Sequence, residues 1–538
     1  MAVERLDHRT HILAYNPAFL VNKSHPIESN YRPSHERGGC STTELRWRGF
    51  KSQVENIALR LIQCKPDVHH LWAIVLWTIV AAIVRTMCTP HLLGRHSSCA
   101  RYASMVSLID SEAKGSMRDF VLVKLTDEEF DDFSARHPQG NFQQTSAMGR
   151  LRAAQGIDVE YLALKEGEKI VAAALFETHR SRFSIFAAIH DGPMCDYHDT
   201  EALTFFMDAL KRHAKAEGAS QLEITPESPY RLRDTNGASL PDDQNGVPDN
   251  KLIEQLEAIG FTHGGFTVGY TAVPRWRYLK DLTGITDEKS LLKSYDKRTQ
   301  WSVKRAQSMG VHVRELSDDE LGVFARIERQ TAERRSFEYR GEAYFHRFKE
   351  AFGSKAHFMV AEIRIDEYMA DMTAKREALS AKVAALTAKN AERPTTKTER
   401  QLGEETRNLA AAEKRLNEAA EFAKDGDVLP AAASLFVEHP REVIYLFSGS
   451  VERYKPFYAS ALIQHDAMLH FCVEHGLSRY NFYGIDGVFD DPDDEGRGVL
   501  EFKQGFNGYV EELPGEFVLP VKPVAYAMKQ FAHKLLSR

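Results

Sequence analysis

Apolar and polar residues along residues 118–280 form patterns that predict strands and amphipathic helices in turn. Strand-like runs occupy residues 161–164, 170–176, 183–189 and 221–225, and apolar residues at helical spacing occupy 201–218 and 249–260. A segment rich in Gly, Pro, Asp and Asn at 234–250 predicts an exposed loop. This order of elements predicts a mixed α/β unit.

The same order returns in outline after residue 281. The pattern predicts a helix over 290–310, a strand over 311–315, a helix over 318–331 and a strand over 357–365. No obvious sequence repeat relates the two halves, so the order of elements is the sequence evidence for a second α/β unit.

Residues 366–426 are of another kind, because Ala, Glu, Lys, Leu and Arg dominate them. A seven-residue spacing links Met372, Leu379 and Leu386, and it returns from Leu402 through Leu409 and Leu416 to Ala423. A short segment with one proline, at 392–396, separates the two series. The pattern predicts an antiparallel coiled-coil hairpin that forms an arm inserted in the second unit.

The first 116 residues differ in charge from the rest of the chain. They hold 14 basic and 9 acidic side chains, net +5, whereas the remaining 422 residues hold 55 and 67, net −12. An apolar run at 71–84 has 14 residues, fewer than the roughly 20 of a membrane-spanning helix. We interpret 1–116 as an atypical extension, with Met117 as the natural start; a weak membrane anchor is the alternative.

Bulk composition limits the class of protein. With 538 residues, 43% of them hydrophobic, the chain can form several folded domains. Its net charge of −7 excludes a surface that coats nucleic acid generally, so any RNA contact must be a local basic patch. The six cysteines show no metal-ligand spacing, and we interpret them as reduced thiols of a cytoplasmic protein.

Near the end of the chain, two glycine-punctuated aromatic segments bracket one lysine. The segments cover 479–489 and 501–508, and an acidic loop at 490–495 separates them. A strand over 480–483 ends at Gly484, and the chain turns back at Gly496 and Gly498. We therefore expect Lys503 just after a loop, beside aromatic surface, as the first candidate for chemistry.

This arrangement resembles the carboxyl-terminal signature of the FemABX family, the FemA/FemB/MurM-type peptidoglycan bridge aminoacyltransferases. The resemblance continues through 515–526 and runs back to about Met117. It implies two fused acetyltransferase-like (GNAT-like) units of α/β (α+β) class, covering 117–284 and 285–365 with 427–538. Residues 366–426 would form the coiled-coil arm that this branch of the family carries.

The resemblance also implies a reaction. A FemA-like enzyme moves amino acids from aminoacyl-tRNA to the stem peptide of a peptidoglycan precursor, lipid II or UDP-MurNAc-pentapeptide, to build the interpeptide bridge. An ester donor is already activated, so positioning, removal of the amine proton and oxyanion stabilisation suffice. The aminoacyl-tRNA is the co-substrate, and no metal or nucleotide cofactor is implied. We expect a cytoplasmic enzyme with peripheral contact at the inner face of the plasma membrane; the sequence does not indicate its oligomeric state.

Residue by residue, Lys503 matches the lysine of the family's Phe-Lys motif, which implies that it stabilises charge on the ester oxygen beside Phe502. Arg340 and Tyr344 match positions that hold the diphosphate of the precursor, and Tyr445 would line the same groove. The alternatives are a surface lysine, a surface cation with a core aromatic, and a core tyrosine. Glu501 would either orient Lys503 or face solvent.

A basic patch is the best local candidate for binding tRNA. It places five cations on the predicted helix 290–310, with Trp301 available for stacking: Lys293, Lys297, Arg298, Lys304 and Arg305. A solvated helix face is the alternative, as it is for the mixed charges of the arm. In the first unit, Asp191 stands where a related Arg-Gly-Pro turn of the family has arginine, so no charge-based role is implied there.

Three other functions stay open at this point. An acyl-CoA-dependent GNAT acyltransferase would need a pyrophosphate-binding loop of the form Arg/Gln-x-x-Gly-x-Gly/Ala, which the assigned segments lack. A non-catalytic scaffold would use the arm to bind a partner. Transfer from tRNA to a lipid or a protein would use the same fold.

Overall fold

Two mixed β-sheets carry the alternating patterns of the sequence. The computed structural model describes residues 118–182, 184–271, 273–335 and 337–536, and Arg118–Leu536 form one compact unit. The predicted extension 1–116, its apolar run and the boundary at Met117 lie outside the described residues.

Fifteen strands are found in the described residues: β1 (Phe120–Lys124), β2 (Asp158–Glu166), β3 (Lys169–Arg180), β4 (Ile185–Ile189), β5 (Gln221–Ile224), β6 (Arg231–Arg233), β7 (Thr262–His263), β8 (Trp276–Asp281), β9 (Val311–Glu315), β10 (Ala356–Arg364), β11 (Val428–His439), β12 (Glu442–Ser450), β13 (Arg479–Ile485), β14 (Tyr509–Glu512) and β15 (Phe517–Pro520).

Thirteen α-helices accompany them in the same part of the chain: α1 (Asp127–Arg136), α2 (Ser146–Ala154), α3 (Thr200–Ala216), α4 (Asn250–Ile259), α5 (Glu288–Lys293), α6 (Lys297–Gln307), α7 (Leu321–Arg335), α8 (Glu342–Phe352), α9 (Ile365–Glu392), α10 (Thr396–Phe422), α11 (Ala459–Ala467), α12 (Arg497–Gln504) and α13 (Pro523–Leu536).

Each sheet contains one parallel pair of strands among antiparallel neighbours. The first sheet has the order β1-β2-β3-β4-β5-β15-β7, and β4 and β5 are its parallel pair. The second has the order β6-β14-β8-β13-β12-β11-β10-β9, and β12 and β13 are parallel. The element order inferred from the sequence therefore corresponds to two related sheets.

The sheets do not divide the chain at the predicted boundary between 284 and 285. Strands β6 and β8, expected in the first unit, lie in the second sheet, and β15, expected in the second unit, lies between β5 and β7. Burial of Trp276 and Tyr278 in the second sheet's core explains the position of β8. These pairings join residues far apart in sequence, so local patterns do not reveal them.

Three hydrophobic clusters hold the unit together. One packs α3 on the first sheet through residues such as Phe206, and another packs helices on the second sheet around Tyr480. A third contains buried residues of both sheets, among them Leu175, Phe324 and Val360. Because both sheets contribute to this third cluster, they fold as one body.

The predicted helix 290–310 is wrong as a single element. It is split into α5 and α6, because the Asp296 side chain accepts the backbone N–H of Thr299 at 2.6 Å and caps α6. Tyr295, in the break, is buried in the second sheet's core. The break changes which cations of the segment share a helix face.

The inserted segment forms a hairpin of two long helices, α9 and α10, joined by a turn that contains Pro394. The less exposed positions of α9 include Met372, Leu379 and Leu386, and those of α10 repeat at the same spacing. An ion pair between Lys382 and Glu405 links the helices across the hairpin. The seven-residue pattern thus marks the packed face.

Among the described helices, none combines the length and the apolar character that crossing a membrane requires. Two cysteines fall in the described residues, Cys195 and Cys472, and both are buried free thiols. Burial raises the pKa of both thiols, which makes them poor nucleophiles.

Candidate active site

Lys503 lies in the last turn of α12 with its side chain buried. Its Nζ donates a hydrogen bond to the carbonyl oxygen of Gly484 at 2.6 Å and lies 3.4 Å from that of Tyr483. Burial lowers the pKa of Lys503 to about 7, and the carboxyl group of Asp486 opposes this effect. The sequence predicted a position just after a loop; the structure places Lys503 in the helix that follows that loop, buried and held by backbone acceptors.

The backbone of β13 is distorted where it receives Lys503. The pairing of β13 with β8 shifts register between Asn481 and Gly484. Tyr483 has φ of 62°, a left-handed conformation that a tyrosine adopts only under constraint from its surroundings. The irregularity directs two carbonyl oxygens away from the ladder and toward the lysine.

The same end of β13 separates from its parallel neighbour. Strands β12 and β13 pair only at Val443 with Tyr480 and at Ile444 with Asn481, so the sheet opens beyond these residues. Openings at the carboxyl ends of parallel strands are common places for ligands in α/β proteins. Lys503 therefore lies where a substrate could enter between two strands.

Two carboxyl groups lie beside the start of α12. Burial and the neighbouring Asp494 raise the pKa of Asp486, and Asp494 accepts the backbone N–H of Gly496 at 2.7 Å. A Cβ atom on Gly496 would lie 1.7 Å from the Asp486 carboxyl oxygen, so a side chain at this position would displace Asp486. Asp486 is thus the acidic group whose charge acts on Lys503. The sequence analysis had assigned the neighbouring acidic segment 490–495, which contains Asp494, to a solvated loop.

The neighbours of Lys503 in sequence have separate positions. Phe502 is half-buried and packs on Phe506, with ring centroids 5.5 Å apart. Glu501 is exposed and pairs with Arg497 at 2.9 Å. Glu501 therefore faces solvent; of the two alternatives, the structure does not favour a role in orienting Lys503.

Arg340 and Tyr344 flank the start of α8, which begins at Glu342 after Gly341 as expected. Arg340 is exposed and forms no ion pair with any described residue. Burial raises the pKa of Tyr344, opposed by the guanidinium groups of Arg152, Arg340 and Arg347. Three cations thus gather around one phenol, which suits an anionic ligand.

Glu328, on α7, is a residue that sequence reasoning missed. It is 1% exposed, and neither carboxyl oxygen has a hydrogen-bond partner in the described part of the chain. Burial raises its pKa to about 7, and the Arg340 guanidinium opposes the rise. The available signal was a charged residue on the apolar face of α7, four residues from both Phe324 and Ala332.

Tyr445 is not brought together with Tyr344. It stacks on Phe436, with centroids 5.6 Å apart, and lies beside Phe482 on one face of the second sheet. Tyr344 contacts Phe447, which packs in the cluster on the other face. A β-bulge between Tyr445 and Phe447 places these nearby residues on opposite faces of the sheet. The prediction that Tyr445 lines the same groove as Tyr344 is therefore wrong.

The cations of the basic patch are exposed, except Arg305, which is half-buried. None of the five pairs with a carboxylate of the described residues. Trp301 is 54% exposed among them and packs edge-on against Tyr458, with centroids 5.0 Å apart. Burial and then the guanidinium of Arg415, on the arm, lower the pKa of Arg305. The arm thus adds a cation to the patch.

The basic patch is adjacent to the helix of Lys503. The backbone N–H of Asp296, which precedes α6, donates to the carbonyl oxygen of Gly505 at 3.0 Å. A Cβ atom on Gly505 would lie 2.2 Å from Thr299, so α6 and the end of α12 are in close contact. The basic patch therefore lies on a helix that contacts the end of α12.

A buried ionic cluster joins the two sheets behind the site. Arg277 donates to Glu227 at 2.5 Å and to Asp191 at 2.6 Å, and its guanidinium lies 5.4 Å from the ring centre of Tyr483. Burial raises the pKa of Glu227, to about 8, against the effect of Arg277. Asp191, found in place of the family's arginine, therefore serves as an internal partner of Arg277.

Two groups of side chains have the spacing of metal ligands within the described residues. In the first, Glu177, His179 and His190 offer ligand atoms within 4.8 Å of one another; in the second, Glu160, His213 and Glu217 do. Arg152 lies 3.2 Å from Glu177 and competes for its carboxylate. We therefore describe the first group as an ion-pair cluster.

Comparison with known proteins agrees with this geometry. Residues 125–534 match the model of the FemAB family. Aminoacyltransferase FemA of Staphylococcus epidermidis is 30% identical over 417 residues, covering 76% of this chain and 98% of that protein. FemA of Staphylococcus aureus (strain bovine RF122 / ET3-1) is 28% identical over 420 residues, with 77% and 98% covered.

Among solved structures, that of FemX is similar with a TM-score of 0.60 and 22% identity, covering 76% of this chain and 99% of that one. This likeness confirms the predicted α/β class of the fold. The chain belongs to the FemAB family, and it is an aminoacyltransferase.

Proposed function

We propose that this enzyme transfers amino acids from aminoacyl-tRNA to an amine of the stem peptide in a peptidoglycan precursor, building the interpeptide bridge. The single observation that carries the proposal is the position of Lys503, a buried ammonium group at the opening between β12 and β13. The acceptor is lipid II or UDP-MurNAc-pentapeptide.

The chemistry requires little from the protein beyond positioning and charge. The amine attacks the ester carbon, a C–N bond forms, and the C–O bond to the tRNA ribose breaks after the oxyanion collapses. Lys503 in its ammonium form donates a hydrogen bond to the oxyanion, and Phe502 shields the site from water. The leaving ribose oxygen takes a proton, and the attacking nitrogen loses one.

Charge on the two sides of the site supports separate places for the two substrates. Arg340 and Tyr344 would hold the diphosphate of the acceptor, as Arg340 has no competing ion pair in the described residues. Lys293, Lys297, Arg298, Lys304 and Arg305 would follow the phosphates of tRNA, with Trp301 stacking on an unpaired base. Tyr445 could contact a substrate only on the face of the second sheet that carries Phe482.

The experiment is transfer of radiolabelled amino acids from a pool of charged tRNA to each purified acceptor, with and without ribonuclease. The proposal is supported if an acceptor becomes labelled and if ribonuclease treatment of the donor abolishes this label. The labelled amino acid is then the one that the enzyme transfers. No label in either acceptor, or equal labelling with acyl-CoA as donor, contradicts it.

A further inference from the structure

Three large apolar side chains are exposed along one stripe of α13. Val524 is 76% exposed, and Met528 and Phe531 are each 68% exposed. Their separations of four and three residues align them on one face of a helix. Single exposed apolar residues are ordinary, but three in a row on one helix indicate a surface that meets a partner.

The sequence of α13 and its flanking residues carries charge of one sign. From residue 517 to 538 the sequence contains no Asp or Glu, and it contains four cations, Lys522, Lys529, Lys534 and Arg538, in a chain of net charge −7. A helix that combines an apolar stripe with cations is typical of helices that lie in the interface of a membrane. Anionic headgroups attract such cations.

The base of α13 is fixed to the first sheet. The backbone N–H groups of Val521 and Lys522 both donate to the carbonyl oxygen of Ser220, at 2.9 and 3.0 Å. The Lys522 ammonium donates to the carbonyl oxygen of Gly218 at 2.7 Å. The helix is therefore attached at one end while its apolar stripe stays exposed.

We propose that α13 docks on the anionic surface of a lipid bilayer, with Val524, Met528 and Phe531 entering the headgroup region. The proposal rests on the proposed function in one respect, since a lipid-linked acceptor would be met at that surface. A second copy of the chain, paired stripe to stripe, is the competing occupant. The charge favours lipid, because this stretch of the sequence holds four cations and no carboxylate that could pair with the cations of a second copy.

The test measures sedimentation of the full chain with vesicles of phosphatidylglycerol or of phosphatidylcholine alone. We expect binding to the anionic vesicles only, weakened on raising salt to roughly 0.5 M. Replacing the stripe, Val524→Ser with Met528→Ser and Phe531→Ser, lowers the bound-to-free ratio by at least about tenfold. The control, Val121→Ser with Val428→Ser, removes valines that are 51% and 49% exposed elsewhere and keeps the binding.

Two results overturn the proposal. One is equal vesicle binding by the stripe variant and the wild type. The other is sedimentation equilibrium, without vesicles, that shows a wild-type dimer which the stripe variant lacks. Transfer to lipid II and to UDP-MurNAc-pentapeptide is assayed separately: its absence with both acceptors counts against the proposed function and leaves vesicle binding as the measure of docking.

Discussion

The Nζ of Lys503 lies 2.6 Å from the carbonyl oxygen of Gly484, and this contact joins the last turn of α12 to the distorted end of β13. With its pKa lowered to about 7 by burial, the lysine changes its charge near neutral pH. The lysine can thus donate to an oxyanion and return to the neutral form within the pH range in which an enzyme works.

Activity is expected to decline as the pH rises through about 7. The ammonium form of Lys503 is the form that stabilises the oxyanion, and its fraction falls above the pKa of about 7. An arginine stays protonated throughout, so Lys503→Arg retains less activity but loses this alkaline decline. The measurement is kcat/KM against pH for both proteins, with the acceptor amine varied to separate its own titration. If kcat/KM of the variant declines with rising pH in the same way as that of the wild type, a group other than Lys503 causes the decline.

Folding stability should depend on the same lysine, with the opposite sign. The pKa of Lys503 is about 7 when folded, below the 10.5 of an ordinary lysine, so the unfolded chain binds more protons between these values. The free energy of unfolding therefore rises with pH in this window, by up to about 1.4 kcal/mol per pH unit from this residue. Urea denaturation at pH 7 and pH 9 should show a smaller rise for Lys503→Met. Lys280, whose pKa burial lowers to about 8, contributes equally to both proteins.

Replacing Arg340 should weaken acceptor binding without affecting the fold. A guanidinium bound to phosphate contributes roughly 1.5–3 kcal/mol, so Arg340→Ala raises KM for the acceptor by about ten- to a hundredfold with little change in kcat. The matched control is Arg329→Ala, an exposed arginine on α7. Equal effects of the two substitutions on KM would remove Arg340 from the acceptor site.

Charge reversal on α6 should weaken binding of tRNA. Lys297→Glu with Arg298→Glu and Lys304→Glu removes three exposed cations next to the helix of Lys503. Each lost phosphate contact lowers the slope of log Kd against the logarithm of the salt concentration by about one unit. The control reverses three exposed lysines elsewhere, Lys169, Lys215 and Lys251. Filter binding over a range of salt concentrations measures both; identical slopes for the two variants would mean that α6 is only a solvated face.

Local patterns were sufficient for many elements of this fold. The strand predicted at 311–315 is β9, with the same bounds, and the seven-residue spacing located the packed positions of α9 and α10. These features depend on residues close in sequence. Lys503 was proposed as a site residue from its local motif, and its burial and its backbone acceptors were not predicted.

The misses have nonlocal or subtle causes. The exchange of β8 and β15 between sheets depends on pairing across hundreds of residues, which no periodicity shows. One extra residue at the bulge of β12 sends Tyr445 and Phe447 to opposite faces. Two other features could have been predicted from the sequence. Asp296 stands three residues before Thr299, the spacing of a helix N-cap, and Glu328 interrupts an apolar stripe of α7.

The most direct test of the account compares wild type with Lys503→Met in transfer from charged tRNA to lipid II. The control is Lys349→Met, because the Nζ of Lys349 also donates to a backbone carbonyl, at 2.8 Å, away from α12. We expect Lys503→Met to fold and to lose transfer by roughly 10²–10³-fold, while Lys349→Met keeps it. Full transfer by a folded Lys503→Met would mean that Lys503 does not stabilise the oxyanion and that the chemistry takes place elsewhere.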